Sequence, residues 1–231
     1  MKPMQISTFL LIAIAVSCLL VACGGPSSPR TPVQVSFYGD SITSGAGLSP
    51  TPVERRTELA AGAFVGVDYS FGGATVQDAT RGDPRLPFPG PFAEWIKRDA
   101  SPIVVIGHAG ANALRYADRI DEYDTLLTAM VGQAHAIGKT VLLAGMTWVA
   151  MPVAGVSETD SVRILQALAE FDDRTEAIAI REGVPFLDLR SVPFTGLADM
   201  LDNVHPNQAY ADRVSAYVAT RLMEILEMLH G

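Results

Sequence analysis

The sequence predicts an α/β fold in which five parallel strands form one central sheet covered by helices. Short apolar runs, several of them β-branched, alternate along the chain with longer segments of helical periodicity. Continuous apolar runs are typical of strands that are covered on both faces. Strand–helix alternation favours βαβ units with right-handed crossovers, which make the sheet parallel. The candidate strands are Val33–Tyr38, Val65–Ser70, Pro102–Ile106, Thr140–Ala144 and Pro185–Leu189.

Four longer segments between and after these strands are predicted to be helices. In the third of them, apolar residues recur at a roughly helical spacing. The proline-rich segment Arg81–Pro91 is predicted to be irregular, because proline removes a backbone donor and restricts the residue before it. No internal repeat and no second domain is visible in the sequence. The candidate helices are Phe92–Asp99, Ile120–Ile137, Ser161–Glu182 and Asn207–Leu229.

The N-terminal segment has the pattern of a targeting sequence. Lys2 precedes an apolar run from Ile6 to Leu20, which is followed by small residues and by Gly24-Gly25-Pro26. A charged start, an apolar middle and small residues at a cleavage site are typical of a secretory signal peptide. The alternative is an uncleaved membrane helix, which needs about 20 apolar residues. This run is shorter and ends at a helix breaker, so the signal peptide is favoured.

The end of that segment, Leu20-Val21-Ala22-Cys23, resembles the bacterial lipobox, in which the cysteine is lipidated and becomes the mature N-terminus. The resemblance implies that residues 1–22 are a lipoprotein signal peptide and that Cys23 carries acyl chains such as palmitate. Residues 23–32 are then a flexible tether, and residues 33–231 form the domain. We expect the protein in the cell envelope, anchored to a membrane by its lipid. Gly24 favours the outer membrane, facing the periplasm, if the organism has one.

Composition excludes several classes of function. The formal net charge of −8 leaves no basic surface for nucleic acid or for anionic lipid headgroups. The two cysteines, Cys18 and Cys23, both precede the domain, so the domain has neither a disulfide nor a thiolate metal site. No metal-ligand spacing is present, and neither a metal nor another cofactor is predicted. Nothing in the sequence indicates an oligomeric state.

Two short motifs carry residues suited to nucleophilic catalysis. Gly39-Asp40-Ser41-Ile42 directly follows the first strand, where a serine at a strand-to-helix turn presents its hydroxyl beside backbone N–H groups. Asp202-Asn203-Val204-His205-Pro206 precedes the last helix, and its carboxylate can orient the imidazole toward a hydroxyl. Each motif alone has an ordinary structural interpretation, as a turn or as a helix cap. We interpret Asp40 itself as a residue that stabilises the turn.

Together these motifs resemble the first and last blocks of the GDSL, or SGNH, hydrolases. Tyr38–Leu48 matches the first block, and Asp202 to Pro206 matches the last, Asp-x-x-His-Pro. The resemblance implies a flavodoxin-like three-layer α/β/α sandwich. It also implies that Ser41 is the nucleophile and that His205, held by Asp202, is its base. The family includes esterases, lysophospholipases, thioesterases and carbohydrate deacetylases, so it does not fix the substrate.

Two further blocks resemble the family's oxyanion hole. Ser70–Thr75 matches the second block and places Gly73 where the family has an N–H donor, although the asparagine often found upstream is absent. Gly110-Ala111-Asn112-Ala113 matches the third block and makes Asn112 a side-chain donor, although Ala113 stands where the family usually has Asp. The resemblance thus implies an oxyanion hole formed by the Ser41 and Gly73 amides and the Asn112 side chain.

The order of these residues along the chain predicts one common site. Ser41, Gly73 and Asn112 each follow a predicted strand, and ligands of open parallel sheets bind at the carboxyl ends of the strands. Trp148 and Met146 follow the fourth strand and could line an acyl or sugar pocket. The alternative for these two residues is plain packing, which is the commoner fate of apolar loop residues.

The sequence therefore predicts a serine esterase that cleaves a short acyl or acetyl ester of a small molecule or glycan through an acyl-serine intermediate. Two alternatives stay open. Ala113 and the missing asparagine are compatible with an envelope lipoprotein that keeps the fold and binds without catalysis. A polysaccharide O-acetyltransferase would use the same serine, histidine and aspartate.

Overall fold

The computed structural model describes residues 31–107, 112, 120–150 and 157–230, and five strands within them form one parallel sheet. The strand order is β2-β1-β3-β4-β5, which is the flavodoxin-like order. The α/β class, the parallel sheet and its five strands are thereby confirmed. The strands are β1 (Val33–Gly39), β2 (Phe64–Asp68), β3 (Ile103–Gly107), β4 (Thr140–Ala144) and β5 (Phe186–Leu187).

Helices lie on both faces of the sheet and bury one apolar cluster on each. The first face is covered by α3, α4, α5 and α6, and the second by α2 and α7. The α-helices are α1 (Ser41–Ser44), α2 (Pro52–Leu59), α3 (Val76–Arg81), α4 (Phe92–Trp95), α5 (Ile120–His135), α6 (Glu158–Glu182) and α7 (Gln208–His230). Short 3₁₀ helices span Leu189–Ser191 and Gly196–Asp199.

Two short helices, α2 and α3, were not predicted, although each begins with a local signal. Thr51 accepts a hydrogen bond from the amide of Glu54, whose side chain accepts in return from the Thr51 amide. Thr75 and Asp78 form the same reciprocal pair at the start of α3. Such capping boxes satisfy backbone donors that a helix start leaves free, and they are legible as a Thr followed three residues later by an acid.

Two predicted elements are shorter in the structure. The strand expected over Pro185–Leu189 is reduced to two residues, because the Asp188 side chain accepts from the Arg190 amide and starts a 3₁₀ helix. The helix expected over Phe92–Asp99 ends at Trp95 as an α-helix. Its predicted end, Asp99, accepts instead from the Ser101 amide and leads the chain into β3.

The end of β1 is shaped so that the chain can turn back sharply into α1. A Cβ atom on Gly39 would lie 2.1 Å from Thr43 Oγ1 and 2.6 Å from Thr43 Cβ, so only glycine fits there. β1 lies between β2 and β3, and its last residue is in register with Gly107 at the end of β3. The residues that follow β1 therefore emerge in the middle of the sheet's carboxyl edge, where the other strand ends surround them.

Candidate active site

Ser41 is the first residue of a one-turn helix at this edge. The Asp40 carboxylate caps that helix, because its Oδ1 accepts a hydrogen bond of 2.9 Å from the Ile42 amide. Gly45 ends the helix in the left-handed region, at φ 67°, and donates to the Ser41 carbonyl. The first amides of a helix have no intrahelical acceptor, so the Ser41 N–H is available to a ligand. The interpretation of Asp40 as a residue that stabilises the turn agrees with this geometry.

His205 is held by a loop that is fastened to the fold at several points. Met200 and Pro206 form an isolated antiparallel bridge, and the Leu201 amide donates to the His205 carbonyl at 2.8 Å. The Ala150 amide donates to the Asn203 carbonyl at 2.9 Å, which ties the loop to the segment after β4. These bonds fix the backbone before and after His205. The position of the imidazole is therefore set by the backbone as well as by the contacts of the ring.

The structure brings Ser41, His205 and Asp202 into one line of hydrogen bonds. His205 Nε2 lies 2.9 Å from Ser41 Oγ, and His205 Nδ1 lies 2.8 Å from Asp202 Oδ2. The other carboxylate oxygen, Asp202 Oδ1, accepts from the Val204 and His205 amides at 2.7 Å each. Because the N–H at Nδ1 of His205 donates to Asp202, the other ring nitrogen, Nε2, carries no proton. Nε2 can therefore accept the hydrogen of the Ser41 hydroxyl.

Asp202 stays ionised because of those bonds. Burial acts to raise its pKa, but hydrogen bonds from the His205 amide, the His205 ring and the Val204 amide outweigh burial and hold the pKa of Asp202 below its usual value. Its side chain is 56% exposed, so water screens part of its charge. The carboxylate is therefore charged at neutral pH and can orient the imidazole.

The two other expected oxyanion donors lie next to one another. Gly73 is the third residue of a turn closed by the Ala74 amide on the Phe71 carbonyl, at 3.0 Å, and its φ of 83° suits glycine. A Cβ on Gly72 would come to 4.0 Å from Ser41 Cβ, so this turn borders the serine. The Asn112 side-chain amide donates to the Ala74 carbonyl at 3.4 Å. Asn112 is thus tied to the segment that carries Gly73, and that segment borders Ser41.

Trp148 and Met146 line one pocket of about 130 Å³, but they differ in exposure. Met146 is 6% exposed and belongs to the apolar cluster on the first face, whereas Trp148 is 41% exposed. The Trp148 indole N–H donates to the Arg190 carbonyl at 2.8 Å, and its ring stacks on Phe194. A role for this pocket in substrate binding stays a prediction. No signal in the sequence pointed to Arg190 or Phe194 as its neighbours.

Several predicted features lie outside the described residues. They include Cys23 and the rest of the N-terminal segment, and Gly110, Ala111 and Ala113 around Asn112. Within residues 31–107, 112, 120–150 and 157–230, no three His, Cys, Asp or Glu side chains are grouped to hold a metal ion. In those same ranges no helix combines the length and the apolar character needed to cross a membrane.

A hydroxyl, an imidazole and a carboxylate in line at the edge of a parallel sheet are the arrangement of the serine hydrolases. The model of the GDSL-like lipase/acylhydrolase family matches residues 37–213. The chain belongs to this family, and its class of activity is that of the carboxylic ester hydrolases. No protein of curated function matches the chain in sequence.

Solved structures of several hydrolases share the fold. A carbohydrate acetylesterase from Sinorhizobium meliloti is 17% identical over 84% of this chain and 99% of its own, with a TM-score of 0.62. An aryl esterase from M. smegmatis is 18% identical over 83% and 99%, with a TM-score of 0.63. A GDSL-like lipase from Bacteroides thetaiotaomicron is 19% identical over 92% and 97%, with a TM-score of 0.61.

Asp40 is the most strongly buried carboxylate of the site, and its burial has a consequence for stability. It is 1% exposed, and burial raises its pKa from 3.8 to about 6, against the opposing effects of the Ile42 amide and the charge of His205. The folded state thus binds the Asp40 proton more tightly than the unfolded chain does. Asp40 therefore lowers the free energy of unfolding above pH 6, and this cost disappears as the pH falls to 3.8.

We predict that Asp40→Asn raises the free energy of unfolding at neutral pH, by about 3 kcal/mol if the amide fits as the protonated acid does. The gain should shrink between pH 6 and pH 4 and be absent below, as measured by urea unfolding across that range. Asp83→Asn is the opposite control. Hydrogen bonds from Arg85 lower the pKa of Asp83 to about 2, so its replacement should reduce stability at neutral pH. A constant difference between Asp40→Asn and wild type across the range would contradict the prediction.

Proposed function

We propose that this protein is a serine esterase that cleaves short acyl or acetyl esters through an acyl-serine intermediate. The observation that carries the proposal is the contact of 2.9 Å between Ser41 Oγ and His205 Nε2, with Asp202 on the other ring nitrogen at 2.8 Å. A binding protein that had lost catalysis would have no need to keep a hydroxyl, an imidazole and a carboxylate in this alignment. The geometry therefore favours an enzyme over a catalytically inactive relative.

The proposed reaction has two halves. His205 Nε2 takes the hydroxyl proton while Ser41 Oγ attacks the ester carbonyl, and Asp202 stabilises the imidazolium that forms. The carbonyl oxygen, now an anion, accepts from the Ser41 and Gly73 amides and the Asn112 side chain. Collapse of the intermediate expels the alcohol, which takes the proton from His205. Water then attacks the acyl-serine, again with His205 as base, and releases the acid and the free Ser41 hydroxyl.

We propose short acyl groups, in esters of small molecules or glycans, as the substrate class. Carbohydrate acetylesterase and aryl esterase are the named activities of two proteins with this fold, which supports the same class.

We further propose that the enzyme works in the cell envelope, held to a membrane by lipid on Cys23. The support is the sequence itself: a charged start, an apolar run and Leu20-Val21-Ala22-Cys23, followed by a segment rich in Gly, Pro and Ser. Residues 23–32 would let the domain reach substrates near the membrane surface.

Ser41→Ala should abolish both hydrolysis and covalent labelling. Loss of the nucleophile is expected to lower kcat for p-nitrophenyl acetate by at least about 10⁴-fold, and labelling by a fluorophosphonate probe should disappear. His205→Ala should lose turnover with an unchanged circular dichroism spectrum. In wild type, the rate should fall from acetate to octanoate esters.

Ser44→Ala is the matched control, because Ser44 lies on the same short helix and its hydroxyl donates to a backbone group, the Ser41 carbonyl, at 3.4 Å. It should keep labelling and turnover. Labelling that persists in Ser41→Ala would refute the assignment of the nucleophile. An acetylated sugar product, formed when an acceptor glycan is added, would identify a transferase instead.

Asn112→Ala should slow the chemical step rather than weaken substrate binding. Removal of one oxyanion donor typically lowers kcat by about 10² to 10³-fold, with little change in KM. Asn112→Asp keeps the shape but puts a negative charge beside the developing oxyanion, so it should be at least as slow. If both variants kept wild-type kcat, Asn112 would not be an oxyanion donor.

Cys23→Ser should release the protein from membranes without affecting its activity. Lipidation is expected only at this cysteine, so an alkyne analogue of palmitate should label wild type in growing cells and not Cys23→Ser. Cys18→Ser is the control and should be labelled like wild type. Equal labelling of Cys23→Ser and wild type would rule out the lipoprotein assignment.

A further inference from the structure

Asp40 uses only one of its two carboxylate oxygens to cap α1, the short helix that begins at Ser41. Oδ1 accepts from the Ile42 amide, but Oδ2 is buried and has no hydrogen-bond partner among the residues that the structure describes. Serine, threonine or asparagine would cap this helix as well. A buried carboxylate oxygen without a partner costs free energy. Capping therefore explains one oxygen of Asp40 and does not explain why the residue is an acid.

A small cavity lies against Asp40 and the start of α1. Its volume is about 30 Å³, and it is lined by Asp40, Thr43, Gly145, Thr147 and Val204, among others. Most of the remaining lining residues are apolar, including Phe37, Val105 and Leu187. Walls of this kind screen the charge of Asp40 less than bulk water does.

The groups on α5 and α6 do not neutralise Asp40. Tyr123, on α5, interacts electrostatically with Asp40, but burial holds the pKa of Tyr123 above its usual value, so this phenol stays neutral. Asp172, on α6, lies behind Gly145, where a Cβ would come to 2.5 Å from its Oδ1. The charge of Asp172 is paired with Arg190.

Among the residues that the structure describes, two cationic groups lie on the other sides of Asp40. Arg56, on α2, lines the same cavity; burial lowers its pKa to about 10, and the charge that opposes this shift is that of Asp68. His205 contacts Ser41, the residue next to Asp40 in the chain: His205 Nε2 lies 2.9 Å from Ser41 Oγ. Of these groups, only His205 gains positive charge when the serine proton is removed.

We infer that Asp40 is a second carboxylate of this site, a positioning residue whose buried negative charge stabilises the imidazolium that His205 becomes. The inference rests on the proposed function, because it concerns the proton that His205 takes from Ser41. Asp202 holds the ring from one side but is 56% exposed, whereas Asp40 lies beneath Ser41 at 1% exposure, where a charge acts over a longer range.

The charges of Asp40 and His205 attract one another, because positive charge on His205 lowers the pKa of Asp40. With a pKa of about 6, Asp40 is ionised at neutral pH, where it can supply this charge. Acidification below pH 6 protonates Asp40 and removes the effect.

Asp40→Asn tests the inference, because asparagine keeps the Oδ1 cap and nearly the same volume while losing the charge. We expect kcat for p-nitrophenyl acetate to fall roughly tenfold at about pH 8, with KM changed less than about twofold. The acid limb of the kcat/KM profile should move to lower pH, because His205 then loses its proton more readily. Asp188→Asn is the control: Asp188 caps Leu189–Ser191 in the same way and should leave kcat and the acid limb as in wild type.

A purely structural role would change the amount of folded protein but would leave the acid limb in place, and that outcome would overturn the inference. Asp40→Ser, which also caps and also lacks the charge, should give the same shift as Asp40→Asn. The midpoint of the His205 ring titration, followed by nitrogen-15 NMR without substrate, should move to lower pH in both variants. The titration can be measured without catalytic turnover. The Ser41→Ala variant tests the esterase proposal separately, so its failure is distinguishable from a failure of the inference about Asp40.

Discussion

The contact between Ser41 Oγ and His205 Nε2 is the interaction on which the rest of this site depends. It joins residues 164 positions apart, one at the end of the first strand and one before the last helix. The surrounding backbone holds both side chains in position. Gly39 permits the turn that presents the serine, and bonds to the Leu201 amide and at Asn203 fasten the loop that presents the imidazole. A relay of this kind works because its geometry is fixed before substrate arrives.

The nucleophile turn also shows how function can oppose stability. A buried carboxylate, one oxygen of which has no partner among the described residues, lowers the free energy of unfolding at neutral pH, and asparagine could cap the same helix. Such a cost is typical of groups whose charge is needed in the reaction. In the proposed mechanism Asp40 and Asp202 have different roles: the exposed Asp202 orients the ring by hydrogen bonds, and the buried Asp40 acts through its charge.

Much of the fold could be predicted because its signals are local. β4 was predicted with its observed bounds, and α5, α6 and α7 begin or end within a few residues of their predicted limits. The Thr51 and Thr75 capping boxes were equally legible, so α2 and α3 could have been found. β5 could not be bounded in the same way. Its length depends on the Asp188 side chain, which turns the backbone out of the sheet after Leu187.

The sequence by itself determined which residue types could carry the chemistry: a serine at a strand-to-helix turn, and an aspartate three residues before a histidine. Only the tertiary structure decided that they meet, because their separation depends on the strand order and on a loop tied to the segment after β4. The tertiary structure also decided that Met146 is buried in the core and that Trp148 is half exposed. Burial and distance arise from contacts between residues far apart in the chain, and no local pattern encodes them.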